Sequence, residues 1–178
     1  MKKLVLAIIA IVCLANVNAQ DSRWGVKAGF NSTGIKVSGD GASITDNLSG
    51  FYVGIYNDFS ISEKFDIRPE LQFISVSEDG ENSSFLALPI LAKVNITDKF
   101  SLLAGPQLDY LLDEDADDFG LKRLGLGLAA GLEFDITENL MIDGRYSFGI
   151  NNRIEDEFGG DQVDAKFSFV QVGLGYRF

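Results

Sequence analysis

Eight segments of this chain alternate apolar and polar residues with a period of two, over roughly 23–35, 48–59, 65–77, 84–96, 100–112, 122–136, 140–150 and 166–178. Period-2 alternation sends successive side chains to opposite faces of an extended strand, so each segment predicts a β-strand with one apolar face. Trp24, Val26, Ala28 and Phe30 form such a row, and so do Phe51, Val53 and Ile55, or Leu124, Leu126, Leu128, Leu132 and Phe134. Aromatics recur near both ends of these rows. That placement suits the two interfaces of a bilayer.

The connections fall into two classes. Ile61-Ser62-Glu63-Lys64-Phe65, Ile96-Thr97-Asp98-Lys99-Phe100 and Ile136-Thr137-Glu138-Asn139-Leu140 repeat one pattern, a short polar turn between apolar flanks. The connections at 36–47, 78–83, 113–121 and 151–165 are polar, acidic and mostly longer. Short turns on one side and longer loops on the other are the topology of outer-membrane β-barrels. The expected fold is therefore all-β: an eight-stranded, antiparallel, up-and-down transmembrane barrel with both termini on the periplasmic side.

The opposite parity carries charge of both signs: Lys27, Asp58, Asp66, Arg68, Glu70, Lys93, Asp109, Glu133, Asp135, Asp143, Arg145 and Arg177. Turned into a soluble core, these groups would be costly to bury, whereas in a barrel lumen they can pair with one another. An eight-stranded barrel is only wide enough for side chains to fill it, so a salt-bridged plug is expected. Two alternatives remain open on sequence alone. One is a narrow channel for protons or small ions along these charges; the other is a soluble periplasmic, lipocalin-like carrier with the apolar rows inside.

Three features strain the pattern. Pro69, Pro89 and Pro106 fall inside expected strands, where each removes a ladder donor, and β-bulges are expected there. Phe167 and Phe169 share parity with Arg177, which suggests that the last strand leaves the membrane or shifts register near them. Leu111 and Leu112 break the alternation.

Composition narrows the function. Met1-Lys2-Lys3, an apolar run from Leu4 to Ala15 and small residues at Val17-Asn18-Ala19 read as a secretory signal over residues 1–19, leaving a barrel domain over 20–178. The run is shorter than the about 20 residues a spanning helix needs. Cys13, the sole cysteine, would leave with the signal, so disulfides and a cysteine nucleophile are not expected. The chain has no histidine, which removes the usual general base and imidazole ligand. Removing Lys2 and Lys3 takes the formal net charge from −11 to −13. A nucleic-acid partner needs clustered cations and is not expected. Neither catalysis nor a cofactor is expected.

Individual motifs add little chemistry. Gly125-x-Gly127-x-x-Ala130 matches a dinucleotide fingerprint in form, but that motif needs a strand before it and a helix after it. Here the period-2 pattern runs straight through, and the glycines are expected to make room in the lumen. Asp113, Asp115 and Asp117 start like a calcium loop, without the glycine and final glutamate such a loop requires. They and Glu155-Asp156-Glu157 are weak candidates for divalent cations bridging to anionic lipid. The paired carboxylates Glu133 and Asp135, or Asp66 and Glu70, are expected to be structural partners of the lumen cations.

The last residues, Gln171-Val172-Gly173-Leu174-Gly175-Tyr176-Arg177-Phe178, read as the strand that seals a barrel against its first strand, with Tyr176 and Phe178 as an assembly signal. Together with Gly25-Val26-Lys27-Ala28-Gly29-Phe30-Asn31, Arg68-Pro69-Glu70-Leu71, Leu88-Pro89-Ile90-Leu91-Ala92-Lys93 and Ala104-Gly105-Pro106, the chain resembles the PorT-like outer-membrane β-barrel proteins over nearly its whole length. The resemblance implies a small eight-stranded barrel, accounts for the prolines, and supplies no catalytic residues. The expected role is structural, or adhesive through surface loops. Expected partners are outer-membrane lipid, the outer-membrane assembly machinery and an unidentified extracellular or periplasmic protein, with the barrel itself a monomer. A chain lacking Phe178 is expected to reach the outer membrane in lower yield than the intact chain; equal yields in fractionated membranes would remove the assembly role.

Overall fold

A computed structural model describes residues 22–39, 42–78, 81–113, 121–154 and 163–178. They form eight antiparallel strands: β1 (Ser22–Gly39), β2 (Ala42–Ser62), β3 (Phe65–Glu78), β4 (Glu81–Asn95), β5 (Phe100–Leu111), β6 (Leu124–Asp135), β7 (Leu140–Gly149) and β8 (Val163–Arg177). Each strand pairs with its sequence neighbours, and β1 pairs with β8 to close the barrel. The seam runs from Gly25–Arg177 to Gly39–Val163. Phe178 continues it, its N–H donating to the Trp24 carbonyl at 2.9 Å. The expected signal segment, residues 1–19, lies outside the described residues.

The repeated turns are closed by their hydroxyl residue. Thr97 Oγ1 accepts from the N–H groups of Lys99 and Phe100, and Thr137 Oγ1 accepts likewise from Asn139 and Leu140. These are local side-chain to backbone bonds of the kind that make threonine a turn residue. Ser62 holds the equivalent place between β2 and β3, and there the strands run on to a tighter turn with a register shift between Ser60 and Ser62.

The apolar rows face outward. Phe30 and Phe51 sit opposite each other on β1 and β2 and are 52% and 53% exposed. The arrangement needed by a soluble carrier, with these rows inside, is thereby overturned. Lipid satisfies no backbone polar group, so only a closed ladder can place such a belt in a membrane.

Inside, the half of the lumen nearest the long connections is apolar. Tyr52, Ile74, Val76, Phe85, Ala87, Leu111, Phe167 and Phe169 form one buried cluster there. Phe85 meets Phe167 and Phe169 edge-on, with centroids 5.8 and 5.5 Å away. This corrects the expectation for β8: its register with both neighbours is unbroken, and Phe167 and Phe169 point inward because this tier of the lumen is greasy. Leu111 joins the same cluster, and Leu112 lies exposed just past the strand end.

The expected bulges at the prolines are also absent. Pairing between β2 and β3 lapses opposite Pro69, between β3 and β4 opposite Pro89, and between β4 and β5 opposite Pro106, yet the register resumes unchanged each time. Each proline deletes one donor, which removes one bonded pair and weakens its neighbour without inserting a residue.

The connection expected at 36–47 is largely strand, since β1 and β2 remain paired to Gly39–Ala42. Beyond the lipid-facing belt no rule requires an apolar row, so the sequence there loses its alternation while the ladder persists. Truncating the centre of the apolar tier, Phe85→Ala, is expected to cost about 3–5 kcal/mol, measured by urea unfolding from lipid vesicles.

Candidate functional site

The inward row of every strand contributes to a charged core below the aromatic tier. At its lower level Arg68, fully buried, directs Nε to Asp58 Oδ1 at 2.5 Å and Nη2 to Asp58 Oδ2 at 2.8 Å. Its Nη1 reaches across the barrel to Glu133 on β6. Glu133 also accepts from Lys93 Nζ at 2.5 Å and from Arg177 Nη2 at 3.2 Å. Arg177 in turn pairs with Asp135 at 3.3 Å. Tyr56 lies under the Arg68 guanidinium, 4.4 Å from ring centroid to Cζ.

A second level sits nearer mid-barrel. Arg145 holds Glu70 in a two-pronged bond at 2.7 and 2.8 Å, the fork geometry that suits arginine to carboxylates. Lys27 bridges Glu70 at 3.3 Å and Asp143 at 3.0 Å. Tyr52 donates its hydroxyl to Asp143 at 3.3 Å, and Gln72 and Gln171 extend the chain of hydrogen bonds from Glu70. Gly173 faces the Tyr52 hydroxyl, and a Cβ there would collide with it.

A third charged group lies beside the apolar cluster, where Asp109 is the register partner of Ala87. Arg153, from the connection after β7, is buried, pairs with Asp109 at 2.9 Å and stacks on Phe167 at 4.7 Å. Gly125 is the hole that admits it, since a Cβ there would overlap the guanidinium and the Asp109 carboxylate. Gly125 thus makes room in the lumen for the Arg153–Asp109 pair.

Among the sequence-derived residues, Lys27, Arg68, Glu70, Lys93, Glu133, Asp135, Asp143, Arg145 and Arg177 come together in the two lower levels. Asp66 stands apart at the turn end, where it accepts from Ser60 and Asn95. Asp109 belongs to the Arg153 pair instead of the main network. Asp113 accepts the Ser84 N–H at 3.1 Å, which makes it a cap on β4. Asp115, Asp117 and Glu155-Asp156-Glu157 lie outside the described residues. Tyr176 and Phe178 are exposed on the outer face and touch edge-on at 5.6 Å.

Sequence reasoning missed Tyr52, Tyr56 and Arg153. The two tyrosines share the inward parity of Asp58, so the pattern could have found them. Arg153 follows no strand pattern, and its only trace in the sequence is the unfilled space at Gly125.

The turn end of the lumen opens into a polar recess of about 450 Å³ lined by Arg23, Asp58, Asp66, Lys93, Asp135 and Arg177 among others. Its floor is the Arg68–Glu133 level. The described residues contain no group of carboxylates placed to hold a metal ion.

An apolar outer belt, a closed ladder and an inward charge network define a small transmembrane β-barrel of the outer membrane. The chain belongs to the family described as the outer membrane protein beta-barrel domain, whose model matches residues 4–178. Among solved structures it is similar to Ail, the attachment invasion locus protein of Yersinia pestis, at 20% identity and a TM-score of 0.51, covering 89% of this chain and 100% of that one. Neisserial surface protein A is similar at 14% identity and a TM-score of 0.53, with the same coverage. These likenesses establish the fold. No curated protein sequence matches the chain.

Removing one member of the lower level leaves the others buried without their partner, which typically costs about 3–5 kcal/mol. Glu133→Gln is therefore expected to destabilise the barrel by that order, whereas Asp66→Asn, at the recess rim, is expected to cost less than about 1 kcal/mol. Equal unfolding midpoints for the two variants would contradict the network geometry.

Proposed function

We propose that this protein is a closed, non-catalytic outer-membrane barrel, acting as a monomer, that displays its loop end at the cell surface to bind another macromolecule. The observation carrying this reading is the filled lumen: the Phe85–Phe167–Phe169 cluster packs the loop half, and the buried Arg153–Asp109 pair fills the space beside it. A packed apolar layer offers ions no replacement for their water. This weighs against the narrow channel, although the polar recess would admit water from the turn side.

Catalysis is disfavoured by the state of the carboxylates. Glu133 receives three cations and Glu70 two, so neither has a free lone pair aimed at a substrate. General acid–base work needs a group within reach of the reacting proton, and these face only each other.

Short turns face the periplasm in outer-membrane barrels, which puts the termini inside and the acidic connections outside. Rigid strands presenting variable connections are a common basis for recognition. The PorT-like affinity is supported by Arg68-Pro69-Glu70-Leu71 and Leu88-Pro89-Ile90, whose prolines interrupt the ladder at matching depths in β3 and β4.

Two measurements test the reading. The reconstituted protein is expected to give no current steps in planar bilayers, and sustained single-channel conductance would favour the pore instead. Photo-crosslinkers at Asp46 and Leu112 on intact cells are expected to capture partners that crosslinkers at Lys64 and Asp98 do not. Capture only from the turn positions would overturn surface display.

A further inference from the structure

The outer wall of the barrel is almost free of charge. Among the described strand residues that share the lipid-side parity of Phe30 on β1 and Val172 on β8, the charged ones are Lys36, Lys166 and Asp164. The two lysines are register partners across the seam, Lys36 on β1 opposite Lys166 on β8, and both are exposed. Like charges directly opposite each other destabilise a ladder. Neither lysine makes an ion pair with another described residue. Asp164 shares their face one outward position farther from the apolar belt, opposite Ser38.

The pairs below them mark their height. Val172 faces Phe30 within the belt, Val170 faces Ser32 at its edge, and Ser168 faces Gly34 directly under the lysines. From Val170 to Lys166 the strand advances roughly 13 Å, which a tilt of about 40° reduces to roughly 10 Å of height. Long flexible stems let ammonium groups at that level reach back along the wall to the lipid headgroups. Gly34 leaves a notch between the lysines and the belt: a Cβ there would come 2.7 Å from Ser168 Oγ and 3.1 Å from Asn47 Oδ1. Its walls are therefore a hydroxyl and a side-chain amide.

We propose that Lys36 and Lys166 together hold the phosphate of an outer-leaflet lipid, whose headgroup lies against the Ser168–Gly34–Asn47 notch and whose chains lie on the belt at Val172, Phe30 and Phe51. A phosphate between the two ammonium groups replaces their repulsion with two charge-assisted hydrogen bonds. That exchange accounts for lysines standing opposite each other on an otherwise uncharged wall. The same wall offers the phosphate contact above and the apolar surface below, which selects an amphiphile over a soluble anion, and lysines at a membrane surface attract anionic lipid. The loop end being outside places the site in the outer leaflet. What the loops themselves bind does not enter the argument.

The test places the full chain in phosphatidylcholine nanodiscs with and without phosphatidic acid, whose headgroup is a bare phosphate. Native mass spectrometry is expected to find a single phosphatidic acid retained by the wild type, and retention weaker by about tenfold or more in the Lys36→Gln/Lys166→Gln double variant. Lys64→Gln/Lys99→Gln, at the turn end, is expected to retain the lipid as the wild type does. Asp164→Asn, which removes the carboxylate on the same face, is expected to tighten retention about twofold. Thermal midpoints give a second readout, with folding verified by heat-modified gel mobility. Lys36→Gln is expected to raise the midpoint in phosphatidylcholine alone, where it relieves repulsion, and to lower it below the wild type when phosphatidic acid is present. A merely structural lysine would not reverse that sign. Equal retention by the double variant, or a lowered midpoint in both membranes, would overturn the proposal while leaving surface display to the crosslinking test. Displacement of phosphatidic acid by equimolar inorganic phosphate would assign the lysines to a free anion and overturn the lipid site.

Discussion

The carboxylate of Glu133 receives Arg68, Lys93 and Arg177 together, and much of the barrel's interior is arranged around that convergence. The four side chains come from β6, β3, β4 and β8, so the contact ties β6 to three strands with which it shares no ladder bond. Burying these charges costs several kcal/mol each, and only near-complete mutual satisfaction offsets it. Asp58 completes the level by taking the other prong of Arg68, and Tyr56 covers its face. A barrel of this width leaves few ways to satisfy so many groups, so the network fixes the register of the strands it joins.

The lumen is graded along its axis. From the turn end it passes through an open polar recess, two charged levels and a tier where the aromatic cluster packs beside the Asp109–Arg153 pair. Charges next to the recess can borrow water, while those higher up rely on one another, as the two-pronged Arg145–Glu70 pair shows. The aromatic cluster and the buried Asp109–Arg153 pair then fill the loop half of the lumen together. That filling weighs against a conduction path along the inward charges.

Architecture was legible in the sequence because lipid enforces the pattern: a row facing hydrocarbon must stay apolar at every second position. The strand count, the repeated turns and the inward charges all follow from that rule. Where the rule lapses, sequence reasoning failed. Phe167 and Phe169 were read as a fault in β8 because inward parity was equated with polarity, whereas the loop-end tier of the lumen is built from side chains of lipid-like character. The prolines suggested bulges because a missing donor was expected to shift the register, and the flanking ladders instead hold it. Arg153 was invisible because a residue outside the strands obeys no parity.

The same reasoning shows why residues 36–47 misled. Within the membrane, alternation and strand coincide; above it, the ladder of β8, β1 and β2 continues without the regular apolar alternation. Strand propensity without an apolar face left no periodic signal, so the segment looked like a loop. A ladder that continues past the need for a lipid-facing belt must be held by something other than burial. Here β1 is bonded on both sides and β8 is capped by Asn152 and Arg153, while β2 above Ser49 is bonded to β1 alone among the described residues. Arg153 links the two ends of this logic: its side chain seals the lumen on Asp109 while its backbone closes the β8 edge, so plugging of the barrel and shaping of the ribbon depend on one residue.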